Sequence, residues 1–420
     1  MRNSQALLPG AAFEPERLLA PTQAVHVFRA SVALALPALE RVALTEAAGR
    51  ILARDVVADA AYPSHPRSTM DGFALATSDG ERARRVVGEV RMGAAPPHAL
   101  GAGEAMRIPT GGALPDGADA VVPFEDADVI VAPGDPAETI ALREMVARGE
   151  NVTHRGSDME RAALVLAAGR RIGGPELGVL ATLGVTDVPV YRRPRIAIVS
   201  TGDELIEPNQ TPGIGQVRDS NRYAIAGSLI AMGATPVHVP RAPDTLDALV
   251  DILRAAILEN DAVFLTGGSS VGARDLTPDA IERLGGTIHV HGIRVKPGKP
   301  TVFAAIDGKP VIGLPGNPTS ALMILEAVIA PIVAALVGET APRVERVHAT
   351  AAADFRGRAG WTWYVPAELH GTRATPLPLR SAHTSLLARA SGYVIFGEDT
   401  SAIESGAPLE VVRFSSGGRT

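Results

Sequence analysis

AVFLTGGSSVG, residues 262–272, is a four-residue apolar strand pattern that breaks without transition into hydroxyls and glycines. Two further segments have the same form: IAIV at Ile196–Val199 runs into STGDE, and PVIGL at Pro310–Leu314 runs into PGNPTS. Short apolar runs bounded by turn residues read as buried strands. Helical patterns lie between and beyond them, at Ser220–Met232, Thr245–Leu258, Asp275–Leu284 and Asn317–Leu336. Strands alternating with helices predict a parallel α/β sheet covered on both faces. In such sheets ligands bind beyond the carboxyl ends of the strands, which is where all three segments deliver their glycines, hydroxyls and carboxylates.

Outside this region the texture changes. Thr22 reads as an N-cap for a helix over Gln23–Leu36, ended by Pro37, and Thr45 as the cap of a second helix over Glu46–Leu52. From Val56 to about Leu142, short apolar runs such as Val86–Val90 and Ala120–Pro123 alternate with Gly/Pro turns. Helical character returns at Glu176–Leu183, so the β-rich part reads as an insertion into a discontinuous helical domain. After about Gly338 the chain is β-rich again. The expected domains are 14–55 with 145–190, 56–144, 191–338 and 342–416. A chain of 420 residues fits several cores.

Composition excludes several function classes. The net charge of −6 argues against a general nucleic-acid or membrane-surface binder. There is no cysteine, so disulfides, thiolate metal sites and cysteine nucleophiles are impossible. His289 and His291 share a strand face, read as a solvated strand edge rather than a metal pair. The apolar stretch Ala321–Val337 is interrupted by Glu326 and Pro331, which suits a buried helix better than a membrane span. The residues before Glu14 lack a secretory pattern, and a cytoplasmic location is expected.

The only lysines are Lys296, Lys299 and Lys309, and two of the three stand in VKPGKP at Val295–Pro300. In a chain so poor in lysine, two ammonium groups on one proline-stiffened turn point to a phosphate or oxyanion site. Gly267, Gly268 and Ser270 of the GGSSVG loop would let backbone N–H groups approach an anion, and the helix opening after Pro315-Gly316-Asn317-Pro318 adds positive potential. GGSSVG is neither a Walker A nor a G-x-G-x-x-G motif. Glu204, Asp244 and Asp275 supply carboxylates for a Mg²⁺ site, magnesium taking one or two carboxylates together with substrate phosphates; which of them converge stays open at this level.

Eight segments, in this order along the chain, resemble the molybdopterin molybdenumtransferases, the MoeA family. They are STMDGFA at Ser68–Ala74, GEAMRIPTGGALPDGADAVVPFED at Gly103–Asp126, GENVTHRGSD at Gly149–Asp158, STGDEL at Ser200–Leu205, VRDSNRY at Val217–Tyr223, LTGGSSVGARD at Leu265–Asp275, VKPGKP at Val295–Pro300 and GLPGNPTSA at Gly313–Ala321. The resemblance implies a multidomain α/β protein. Its central α/β domain would be like that of the molybdopterin adenylyltransferases, with a discontinuous helical domain, an inserted β-rich domain and a C-terminal β-rich domain.

It also implies an enzyme that takes adenylylated molybdopterin and molybdate, releases AMP with Mg²⁺ and acts as a homodimer. The molybdopterin adenylyltransferase and acceptor molybdoenzymes would be its partners. Matched by motif, the implied catalytic residues are Asp71, Thr110, Asp158, Glu204 and Asp275. Those that would bind substrate are Gly267, Gly268, Ser270, Lys296, Lys299, Pro315, Asn317, Pro318, Ser320 and Ser381, and the metal would fall to Asp244 and Asp275. Two positions depart from the family pattern. Tyr364 stands where the family usually has an arginine, and Leu379-Arg380-Ser381 stands for its usual Gln-Gly-Ser, both positions that help hold molybdate in the family. An adenylyltransferase-like enzyme and a non-catalytic molybdopterin-binding scaffold are the competing readings.

Overall fold

A computed structural model describes residues 17–131, 138–267, 276–340, 342, 344–378 and 384–415. The chain forms two compact units. One takes the chain up to Arg54, Gly169–Gly178 and everything from Val185 onward; the other takes Asp55–Ala168 and Val179–Gly184.

In the first unit the α/β region runs β1 (Arg195–Ser200), α1 (Asn221–Met232), β2 (Thr235–His238), α2 (Leu246–Glu259), β3 (Ala262–Thr266), α3 (Thr277–Arg283), β4 (Thr287–His291), β5 (Val302–Ile306), β6 (Lys309–Leu314) and α4 (Pro318–Ile324). A π-helical turn, Leu325–Ile329, joins α4 to the helix Ala330–Val337. The six strands form one sheet in the order β2-β1-β3-β6-β5-β4. The first four are parallel, whereas β5 and β4 run antiparallel as an edge extension. The sheet is therefore mixed, with the expected parallel strands at its centre.

Strand alternation sends Ile196, Ile198, Phe264 and Ile312 into one core and Ala197, Val199, Val263, Leu265 and Val311 into a second. Both faces are covered, so the strands carry unbroken apolar runs. The helical segment Pro318–Val337 is the one helix among the described residues long and apolar enough to cross a membrane, and it is mostly buried in the first core. Its single acid, Glu326, accepts hydrogen bonds from the Ser228 hydroxyl at 2.6 Å and the Ser415 N–H at 2.9 Å.

Two local expectations are corrected. The first helix spans Pro21–Ser31, with Ala20 at the N-cap and its N–H donating to the Gln23 side chain at 3.2 Å. Proline at the first helical position, not Thr22, sets the start. Instead of a second helix, Leu39–Ala43 is a strand paired antiparallel with Asp187–Tyr191, followed only by a 3-10 turn, Leu44–Glu46. Pairing to a distant strand outweighs the weak local helical pattern. The histidine reading is refined as well: β4 is a sheet edge, but His289 packs edge-on against Phe28 at 5.8 Å.

The C-terminal part of this unit is a barrel. The strands Arg346–Ala351, Thr362–His370, Arg373–Pro376, Gly392–Phe396 and Pro408–Arg413 close on themselves, because Thr362–His370 pairs both with Arg373–Pro376 and with Gly392–Phe396. Closure removes the free edges that an open sheet of short strands would expose. A two-residue strand, Val295–Lys296, adds to it in parallel, with Val295 opposite Thr362 and Lys296 opposite Trp363.

The second unit holds a six-stranded sheet in the order Ala120–Pro123, Gly72–Leu75, Glu104–Ile108, Arg84–Glu89, Glu138–Leu142, Ala127–Val131. It is β-rich, as its frequent turns suggest.

Candidate functional site

The carboxyl ends of β1, β3 and β6 meet closely. Gly267, directly after β3, has φ +96°, and a Cβ there would strike the Thr201 carbonyl oxygen and lie 2.9 Å from the Thr201 hydroxyl. A Cβ on Gly316, two residues after β6, would lie 3.2 Å from the Gly267 Cα. Asn221, the first residue of α1, ties the ends together: its side-chain amide donates to the Thr266 hydroxyl at 2.7 Å and to the Gly316 carbonyl at 2.8 Å.

The start of α1 is thereby hydrogen-bonded to the turn that opens α4, so two helix N-termini share one rim, a local surplus of positive potential. The Ser200 and Thr201 hydroxyls and the Asn317 and Asn221 side-chain oxygens are buried with no hydrogen-bond partner among the described residues. Leaving such atoms unpaired costs about 1–3 kcal/mol each, which favours a polar occupant of the rim. Pro315 and Ser320 are buried beneath it and Pro318 is half-buried at its border.

Beside the rim, Asp203 and Asp244 clasp each other. The Asp203 N–H donates to the Asp244 carboxylate at 3.2 Å, and the Asp244 N–H donates to the Asp203 carboxylate at 3.3 Å. The Arg241 guanidinium fastens the loop by donating to the Gly202 and Leu205 carbonyls at 2.9 and 2.6 Å. Both carboxylates are exposed, as is Glu204. Asp203 was not among the residues singled out from the sequence; its only signal was its place in STGDE. These are hard oxygen donors of the kind magnesium takes, and two of them side by side fit its habit of binding through few carboxylates. Among the described residues no cluster of three or more acidic or histidine side chains forms a complete metal cage. Gly268, Ser270, Asp275 and Ser381 lie outside the described residues, as do Leu379 and Arg380.

Lys296 and Lys299 sit on a turn between β4 and β5. Lys296 Nζ lies over the Trp363 ring at 4.8 Å from its centroid, and Lys299 Nζ over Trp361 at 6.0 Å. Tyr364 faces the opposite way, buried and edge-on to Tyr393 at 5.6 Å. Burial pushes its phenol far above the usual tyrosine range, so it is a neutral core residue and supplies no charge in place of an arginine.

In the second unit, three motifs are laced into one group of loops. The Thr110 N–H donates to the Asp71 carboxylate at 2.7 Å. The Gly111 N–H reaches the Ser68 carbonyl at 2.8 Å, and the Thr69 N–H reaches the Asn151 carbonyl at 2.9 Å. Arg67–Ser68 pairs with Val152–Thr153, and the Asp158 N–H donates to the Tyr62 carbonyl at 3.2 Å. Asp71 and Thr110 are thus in direct contact, with exposed Asp158 on the adjoining segment. An open cleft of about 830 Å³ borders the same turn, lined by His65, Arg67, Met92, His98, Gly112 and Asp116. Its histidines and arginine carry no sequence motif, and nothing in the sequence marked them.

Residues 19–184 match the MoeA N-terminal region (domain I and II), and residues 197–335 match the probable molybdopterin binding domain. The molybdopterin molybdenumtransferase of Bacillus subtilis (strain 168) is 31% identical over 385 residues, 89% of each chain. That of Synechocystis sp. is 32% identical over 85% of this chain and 90% of its own. Among solved structures, the molybdopterin biosynthesis moea protein from Pyrococcus horikosii superposes with a TM-score of 0.76 at 30% identity, covering 94% of this chain and 99% of that one.

Proposed function

Since this chain belongs to the molybdopterin molybdenumtransferase (MoeA) family, acting in molybdenum-cofactor biosynthesis, we propose that it inserts molybdenum from molybdate into adenylylated molybdopterin with Mg²⁺-dependent release of AMP. The observation that carries this reading is the rim at the ends of β1, β3 and β6, where Asn221 holds the strand ends and two helix N-termini together. Such a rim suits a phosphate, and the Ser200 and Thr201 hydroxyls are donors for its oxygens. Asp203 and Asp244, with Asp275, are the residues that would hold magnesium, which when bound stabilises negative charge on phosphate oxygens. Lys296 and Lys299 supply positive charge for an oxyanion. Asp71, Thr110 and Asp158, carried on the second unit, complete the set of catalytic candidates together with Glu204, and Ser381 is a further candidate for holding molybdate.

The test is an insertion assay with purified adenylylated molybdopterin, molybdate and Mg²⁺. The expected result is stoichiometric AMP and molybdenum-loaded pterin. Formation of adenylylated molybdopterin from ATP and molybdopterin instead would identify an adenylyltransferase, and binding of the pterin without AMP release would identify a scaffold.

The protein is further proposed to be a cytoplasmic homodimer, supplied by the molybdopterin adenylyltransferase and serving acceptor molybdoenzymes. A homodimer is the assembly that the family resemblance implies. Light scattering at micromolar concentration is expected to give twice the chain mass; a monomer alone would refute the assembly.

A further inference from the structure

We propose that Trp363 is a positioning residue for Lys296, holding its ammonium group ready for a tetrahedral oxyanion. The inference rests on the reading of Lys296 and Lys299 as an oxyanion site. The chain has only two tryptophans, and one of them, Trp363, lies with its ring centroid 4.8 Å from the Lys296 ammonium. The pairing is built into the backbone: Lys296 stands opposite Trp363 in a parallel ladder. Trp363 is itself fixed, half-buried against the barrel core.

Holding a lysine over an aromatic face differs from holding it with a carboxylate. A carboxylate would orient the ammonium but cancel its charge. An indole face attracts the cation through its quadrupole and leaves the full positive charge for a third group. A doubly negative tetrahedral oxyanion such as molybdate matches that uncancelled charge.

The experiment is equilibrium dialysis of the full-length protein against sodium molybdate, with bound molybdenum measured by mass spectrometry. Trp363→Phe retains an aromatic face and is expected to bind within twofold of the parent. Trp363→Leu fills much of the space without a π face and is expected to weaken binding about fivefold, roughly 1 kcal/mol. A residue that only packs the barrel would be served as well by leucine as by phenylalanine, so equal affinities of the two variants would overturn the positioning role. If Trp363→Leu binds normally while Lys296→Ala and Lys299→Ala lose binding, the lysine reading stands and this inference fails. If the double lysine variant also binds normally, the oxyanion reading itself fails.

Discussion

Gly267→Ala is expected to destabilise the first unit by about 3 kcal/mol or more. Two costs add. The backbone there has φ +96°, which an L side chain adopts only with about 1–2 kcal/mol of strain. The new methyl would also collide with the Thr201 carbonyl oxygen, a backbone atom held in the rim and unable to rotate away. Forced overpacking of this kind adds about 1–3 kcal/mol. The control is Gly227→Ala, on the exposed side of α1, where a Cβ meets nothing within 4 Å. That substitution should stabilise by up to about 1 kcal/mol through helix propensity. Urea denaturation of both variants measures the contrast. A loss below 1 kcal/mol for Gly267→Ala would mean that the strand ends do not approach each other as described.

Asp275→Asn is expected to fold with near-normal stability and to bind adenylylated molybdopterin, yet to release AMP at least roughly 100-fold more slowly when molybdate and Mg²⁺ are added. Asparagine has nearly the shape of aspartate and keeps a side-chain carbonyl acceptor, so a purely structural role would survive the change. It removes the charge a divalent cation requires. The readout is AMP release against pterin-adenylate binding in the same preparation. Normal AMP release would take Asp275 out of the chemistry and leave the clasped pair Asp203 and Asp244 as the carboxylates to test next.

Much of this architecture was legible because one physical rule governed it. The apolar runs at Ile196–Val199, Ala262–Leu265 and Pro310–Leu314 are strands buried on both faces, and their abrupt change to polar residues marks where they leave the core. The edge strands Thr235–His238 and Thr287–His291 have mixed patterns and one neighbour each, so they carried no comparable signal. Leu39–Ala43 was not recognised as a strand, and a helix was expected after it over Glu46–Leu52, because its strand partner lies far along the chain, at Asp187–Tyr191.

The candidate site divides in the same way. Residues flanking the strand ends were found because the fold dictates where they go. Asp203 was passed over because its meeting with Asp244 depends on two loops folding toward each other. Trp361 and Trp363 were passed over because nothing local reveals that a barrel strand lies beside the lysine turn.

That shared strand also bears on how the protein can be recombined. By sequence, a cut near Gly338 separates an α/β module from a C-terminal module, and a graft there looks harmless. The barrel, however, takes Val295–Lys296 as an outer strand from upstream of the cut, and the Arg294 guanidinium is locked to the Glu398 carboxylate by three charge-assisted hydrogen bonds of 2.8, 2.9 and 3.0 Å. A chimera that exchanges only the downstream module would bring in a barrel fitted to a foreign lysine turn. The unit of exchange that preserves the ladder is the barrel together with residues 292–300, so the heritable module and the contiguous one are not the same.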